Sequence, residues 1–104
     1  MKKTIHGLRY DTEKAILIGE YYNGNDVNDF SYWEASLFKT QRSGRYFLAG
    51  SGGPMTRYAT AQGNQSGWGE RIDPMTPEKA LEWAEKYLDQ DAIDEHFSNM
   101  IEDA

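Results

Sequence analysis

The feature that most constrains this chain is an alternation from Phe30 to Thr40 that is followed at once by the turn segment Gln41-Arg42-Ser43-Gly44. Successive side chains of a strand leave opposite faces. Ser31, Trp33, Ala35 and Leu37 therefore point one way, and Phe30, Tyr32, Glu34, Ser36 and Phe38 the other. This is a strand with large rings on both faces. Gly44 supplies the left-handed backbone position that such loops need, so the chain returns along Arg45 to Ala49 and the pattern predicts a hairpin over 30–49.

Shorter signals surround it. Thr4 to Tyr10 alternates loosely around Gly7 and reads as one strand or a strand pair with a tight bend. Ala15-Ile16-Leu17-Ile18-Gly19-Glu20-Tyr21-Tyr22 is too short a run for periodicity to separate strand from helix, and Asp11 or Thr12 is able to cap a helix. Its isoleucines and tyrosines favour a strand. Asn23-Gly24 marks a turn, and Asn25 to Asp29 a polar connection. Gly50-Ser51-Gly52-Gly53-Pro54 is expected to end the strand begun at Arg45, with one or two turns of helix over Met55 to Gln62. Gly63-Asn64-Gln65-Ser66-Gly67 would break that helix. Trp68 stands between two glycines, and Glu70 to Asp73 reads as a closing strand stopped at Pro74.

Thr76-Pro77-Glu78 announces a helix: a hydroxyl cap, proline at the first helical position and an acid where the helix dipole favours one. Ala80, Leu81, Ala84, Tyr87 and Leu88, widened by Trp83, form an apolar stripe at helical spacing. A second short helix, capped by Asp89 or Asp91, would place Ile93, Phe97, Met100 and Ile101 on one side. The fold class expected is α+β: an antiparallel sheet of about four to five strands, followed by a C-terminal helix or helix pair packed on one face. One domain over 1–104 is expected, mainly β over 1–76 with a helical tail over 77–104.

A chain of 104 residues buries roughly two-thirds of the surface its unfolded form exposes, and three Trp, seven Tyr and four Phe make its core rich in rings. The absence of cysteine excludes a disulfide framework, a thiolate nucleophile and the usual sulfur-containing zinc sites. Polar residues follow Met1-Lys2-Lys3 at once, so no signal peptide is read, and no run approaches the length of a membrane span. A soluble, cytoplasmic protein is expected.

Charge is unevenly placed. Glu78, Glu82, Glu85, Asp89, Asp91, Asp94, Glu95, Glu102 and Asp103 stand against only Lys79 and Lys86, giving 77–104 a net of −7 in a chain of net −6. This balance opposes whole-molecule attraction to nucleic acid and permits docking of the acidic end on a basic partner. A solvated helix face that maintains solubility is the simpler explanation. The acidic partner-binding candidates are Asp89, Asp91, Asp94, Glu95, Glu102 and Asp103.

Catalytic patterns are weak. Gly50 to Gly53 with Arg57 nearby suggests a phosphate cradle, but Walker and dinucleotide spacings are missing; a turn, or a strand end pressed against a ring, explains the glycines better. His6 and His96 have no partner at metal-ligand spacing, and no serine sits in a nucleophile elbow. We expect no enzyme, cofactor or metal. Rings interleaved with cations form the remaining pattern, and the aromatic and basic candidates are Tyr22, Tyr32, Trp33, Arg45, Arg57, Tyr58 and Trp68. On an uncovered sheet face they would serve as protein-interface anchors or as stacking platforms for bases, and plain core packing explains the rest of them.

The landmarks Arg9-Tyr10-Asp11-Thr12, Leu37-Phe38-Lys39-Thr40 to Gly44-Arg45-Tyr46-Phe47-Leu48, Gly52-Gly53-Pro54-Met55-Thr56-Arg57-Tyr58-Ala59, Trp68-Gly69, Ile72-Asp73-Pro74 and Ala80-Leu81-Glu82-Trp83-Ala84-Glu85 span nearly the whole chain. Together they resemble a family of small uncharacterised proteins encoded by bacterial prophages, plasmids and integrative elements, many of which carry an acid where Ser51 stands. The resemblance implies a mobile-element protein. Small acidic proteins of such elements are often inhibitors of host defence, including anti-CRISPR proteins that bind an effector and block its nucleic-acid path. The function expected is therefore a non-enzymatic inhibitor that binds a host defence protein, such as a CRISPR-Cas effector component. The alternative is a nucleic-acid-associated regulatory or accessory factor using the sheet aromatics and arginines.

Overall fold

The computed structural model describes residues 1–63 and 65–104. Strands β3 (Ile16–Tyr22), β4 (Trp33–Lys39), β5 (Tyr46–Gly52) and β8 (Gly69–Met75) form an antiparallel sheet in the order β3-β4-β5-β8. Two small hairpins stand apart from it, β1 (Lys2–Ile5) with β2 (Leu8–Asp11) and β6 (Thr60–Gln62) with β7 (Gln65–Gly67). Helices α1 (Pro77–Tyr87) and α2 (Gln90–Phe97) follow, and a 3-10 turn spans Ser98–Met100. The fold is α+β, with an antiparallel sheet followed by two helices.

The predicted hairpin forms, shifted along the chain. β4 pairs with β5 from Trp33↔Gly52 to Lys39↔Tyr46, and Gly44 takes φ 64° in the connecting turn. Phe30 to Tyr32 lie outside the strand. The Asp29 carboxylate accepts from Ser31 N at 2.7 Å and its carbonyl from Tyr32 N at 3.1 Å, which folds this stretch into a turn. At the other end the strand does not stop at Ala49. Gly50 to Gly52 continue β5, because both neighbouring strands pair with them, and the glycines admit close packing that a side chain would block. A Cβ on Gly50 would lie 2.2 Å from Tyr58 Cζ.

Three further expectations are corrected. No helix forms over Met55 to Gln62: Thr56 Oγ1 donates to Gly53 O at 2.8 Å and accepts from Tyr58 N at 3.2 Å, fixing a side-chain turn before β6. In the expected breaker 63–67, Gln65 to Gly67 are strand, and Asn64 lies outside the described residues. The closing strand passes through Pro74, which pairs with Phe47 on an edge strand where a missing N–H is tolerated. Thr4 to Tyr10 resolves into a strand pair, turned by His6 and Gly7 at φ 51° and 79°, the two positive values a tight two-residue turn requires. Ala15 to Tyr22 is strand β3 from Ile16 onward.

Both helix starts follow their caps. Thr76 Oγ1 accepts from Lys79 N at 3.2 Å with Pro77 at the first helical position, and Asp89 Oδ1 accepts from Ala92 N at 2.9 Å. The helices bury Ala80, Trp83, Ala84, Ile93 and Phe97 against Ile18, Ala35, Leu37, Tyr46 and Leu48 of the sheet. Ile101 does not join them: the α-helix ends at Phe97, and Ile101 is exposed after the 3-10 turn. On the opposite sheet face Tyr10 packs on Phe47 at 5.3 Å, within a cluster that includes Phe38, Ala49 and Ile72. The β1–β2 hairpin thus covers one end of that face. Among the described residues no helix is long and apolar enough to cross a membrane.

Candidate functional site

The other end of the same face is where the candidate site lies. Strand register places Tyr22, Glu34, Ser51 and Glu70 side by side across the four strands. The next row on that face is Glu20, Ser36, Ala49 and Ile72. Glu34 leaves the sheet on this side because it alternates with the core residues Trp33 and Ala35. Tyr32, two residues before it, lies under the edge of the row.

Three rings form a line across the site. The centroids of Tyr22 and Tyr32 are 6.4 Å apart, and Tyr32 stacks on Trp68 at 5.8 Å with planes 16° apart. Tyr32 is buried, whereas Tyr22 is 59% and Trp68 43% exposed. A shallow recess of about 210 Å³ opens beside them, lined by Glu20, Tyr22, Tyr32, Glu34 and Ser36. The neighbouring loops add apolar surface. Phe30 is 65% and Met55 72% exposed, and they are joined by the bond from Met55 N to Phe30 O.

The carboxylate at the centre is oriented. Tyr32 Oη donates to Glu34 Oε2 at 2.5 Å, and Ser51 Oγ donates to Oε1 at 3.4 Å. The Tyr32 phenol is pushed up to about 12, first by this hydrogen bond, then by burial and by the negative charge of Glu34. It therefore stays a donor throughout the physiological range. Glu20, Glu34 and Glu70 have no cationic partner among the described residues. Carboxylates with stacked rings and no balancing cation make a surface complementary to positive charge.

The aromatic and basic candidates therefore do not form one surface. Tyr22, Tyr32 and Trp68 come together. Trp33 faces the helices, in contact with Tyr21 and Tyr87 at 5.5 and 5.4 Å. Tyr58 is buried on that side too, with the Arg57 and Arg71 guanidinium carbons each 5.2 Å from its ring centre. Asp73 pairs with both arginines, at 3.5 and 2.9 Å. Burial raises the Tyr58 phenol, whose hydroxyl has no hydrogen-bond partner among the described residues. Arg45 precedes β5 at its far end, about 20 Å along the strand from Ser51.

Among the acidic candidates, Asp89 caps α2, Asp94 accepts from Gln90 Nε2 at 2.9 Å and Glu95 lies 3.3 Å from His96. Asp91, Glu102 and Asp103 are exposed, the last two beyond the helices. The glycine loop is no cradle: Gly50 to Gly52 are held in the ladder, and Gly53 N donates to Tyr32 O at 2.8 Å. Among the described residues no group of three or more His, Asp or Glu is placed to hold a metal ion.

Sequence reasoning did not single out Glu20, Glu34, Glu70, Phe30 or Met55. The signal for Glu34 was present, a carboxylate sharing a strand face with Tyr32 and Phe38. Glu70 is found only through the register of β8. No protein-family model matches the chain, and no curated protein or solved structure matches it.

Proposed function

We propose that this chain is a non-enzymatic binding protein of a mobile genetic element, and that it inhibits a host defence system of the CRISPR-Cas kind by covering a basic, nucleic-acid-binding surface of an effector protein. One observation carries the reading: the exposed rings Tyr22 and Trp68 lie among Glu20, Glu34 and Glu70, none of which has a cationic partner among the described residues. Exposed Tyr and Trp are favoured anchors of protein interfaces, and unbalanced carboxylates around them speed and orient docking on a basic surface. The acidic outer face of the helices adds long-range attraction of the same sign. Direct base stacking would require cations beside the rings, and Arg45 and Arg57 lie elsewhere. The likeness of the sequence landmarks to mobile-element proteins supplies the class of partner.

Co-purification with Cas effectors at low and high salt, together with a plasmid-interference assay, tests this reading. Capture that weakens with salt, accompanied by protection of the plasmid, is the expected result. Absence of both overturns it.

A further inference from the structure

We infer that the recess beside Tyr22 and Glu34 receives one arginine side chain of the partner protein, an assignment that rests on the protein-binding reading above. The recess measures about 210 Å³, below the roughly 300–1,000 Å³ of sites that enclose a drug-sized ligand. It suits a single side chain. Its walls are two tyrosine rings and two carboxylates, with no lysine or arginine among the lining residues, so the occupant is a cation.

The geometry selects guanidinium over ammonium. Glu34 is held by the Tyr32 and Ser51 hydroxyls, one on each carboxylate oxygen. An ionised carboxylate has about four lone-pair sites, so both oxygens keep acceptor capacity for a parallel pair of N–H donors, the arrangement arginine provides and lysine does not. The exposed Tyr22 ring offers a face on which a planar cation stacks. Glu20 faces Ser36 in the adjoining row and supplies the second negative charge. The source is a protein and not the free amino acid, because Trp68, stacked on the Tyr32 ring that lines the recess, exposes apolar surface that a lone side chain would leave wet.

The experiment titrates the full chain with blocked arginine amide, blocked lysine amide and blocked citrulline amide, the last matching arginine in shape without its charge, while following backbone amide resonances. Arginine amide is expected to shift residues 20–22 and 34–36, with weaker binding by lysine and no saturable shift with citrulline. Glu34→Gln, which keeps an acceptor for Tyr32, is expected to weaken arginine binding about fivefold; Glu85→Gln on the outer face of α1 leaves it unchanged. Equal response to citrulline, indifference to Glu34→Gln, or shifts centred on the helix acids overturns the assignment. In effector capture, a Glu20→Gln, Glu34→Gln double variant that binds as well as the parent removes the recess from the interface and leaves the inhibitor reading intact. Arginine binding without effector capture does the reverse.

Discussion

Tyr32 Oη donates to Glu34 Oε2, tying a buried ring to an exposed carboxylate two residues further along the chain. The bond stabilises the neutral phenol, so the folded protein holds the Tyr32 proton more tightly than the unfolded chain does. Its contribution to stability is complete below the ordinary tyrosine value near 10 and is lost as pH rises from about 10 toward the folded value of about 12. An alkaline absorbance titration of parent and Tyr32→Phe checks this. The variant is expected to lack a phenol that ionises near 12; loss of one that ionises near 10 contradicts the assignment. The comparison needs the variant, because burial delays Tyr58 as well.

The Tyr58 ring sits where a Cβ on Gly50 would be, and Tyr58 O lies 1.8 Å from the place a Cβ on Gly69 would take. Gly50→Ala must push a buried ring away from two flanking guanidinium groups, and Gly69→Ala must move backbone. Each is expected to lower stability by about 1–3 kcal/mol, with the larger loss at Gly69. Urea unfolding of the two variants measures it, and a parent-like midpoint for either shows that the packing there is loose.

Acids of the helical segment divide into structural and free. Asp89→Ala removes the cap of α2 and is expected to cost about 1 kcal/mol. Asp103→Asn, beyond the last helical turn, is expected to stay within about 0.5 kcal/mol of the parent. Thermal unfolding of both separates them. Equal losses would mean that the cap bond contributes little.

Phe97 is fully buried and stacks on Tyr46 at 5.4 Å, the contact that fixes α2 on the sheet. Phe97→Ala is expected to cost about 3–5 kcal/mol. Retention of more than half of that stability in chemical denaturation would show that α2 docks mainly through Ile93.

Local signals carried much of the fold. The helix start at Thr76 was readable because cap, proline and acid each satisfy a separate backbone requirement within three residues. The β4–β5 hairpin was readable because alternation and Gly44 agree. Its ends were not. Where a strand stops depends on what pairs beside it, and Gly50 to Gly52 are strand because β4 continues beside them on one edge and β8 returns along them on the other. The helix expected over 55–62 failed for a related reason: its apolar spacing is too brief to outweigh the side-chain turn at Thr56.

The site was half legible. Tyr22, Tyr32 and Trp68 stood out as rings, yet their grouping with Glu20, Glu34 and Glu70 arises from cross-strand register and not from proximity in sequence. Arg57 illustrates the converse. It neighbours Tyr58 in sequence and in space, but Asp73 already pairs with it on the side of the sheet that carries the helices.

On the proposed function, the open ring face, and not the acidic helices, makes the decisive contact with a defence effector. The most direct measurement is plasmid interference and effector capture by a Tyr22→Ala, Trp68→Ala double variant beside a Glu78→Gln, Glu82→Gln, Glu85→Gln triple variant, each first shown to unfold near the parent midpoint. The double variant is expected to lose capture and protection, while the triple variant retains both with slower association. Full protection by the double variant, or none by the parent chain, contradicts the claim.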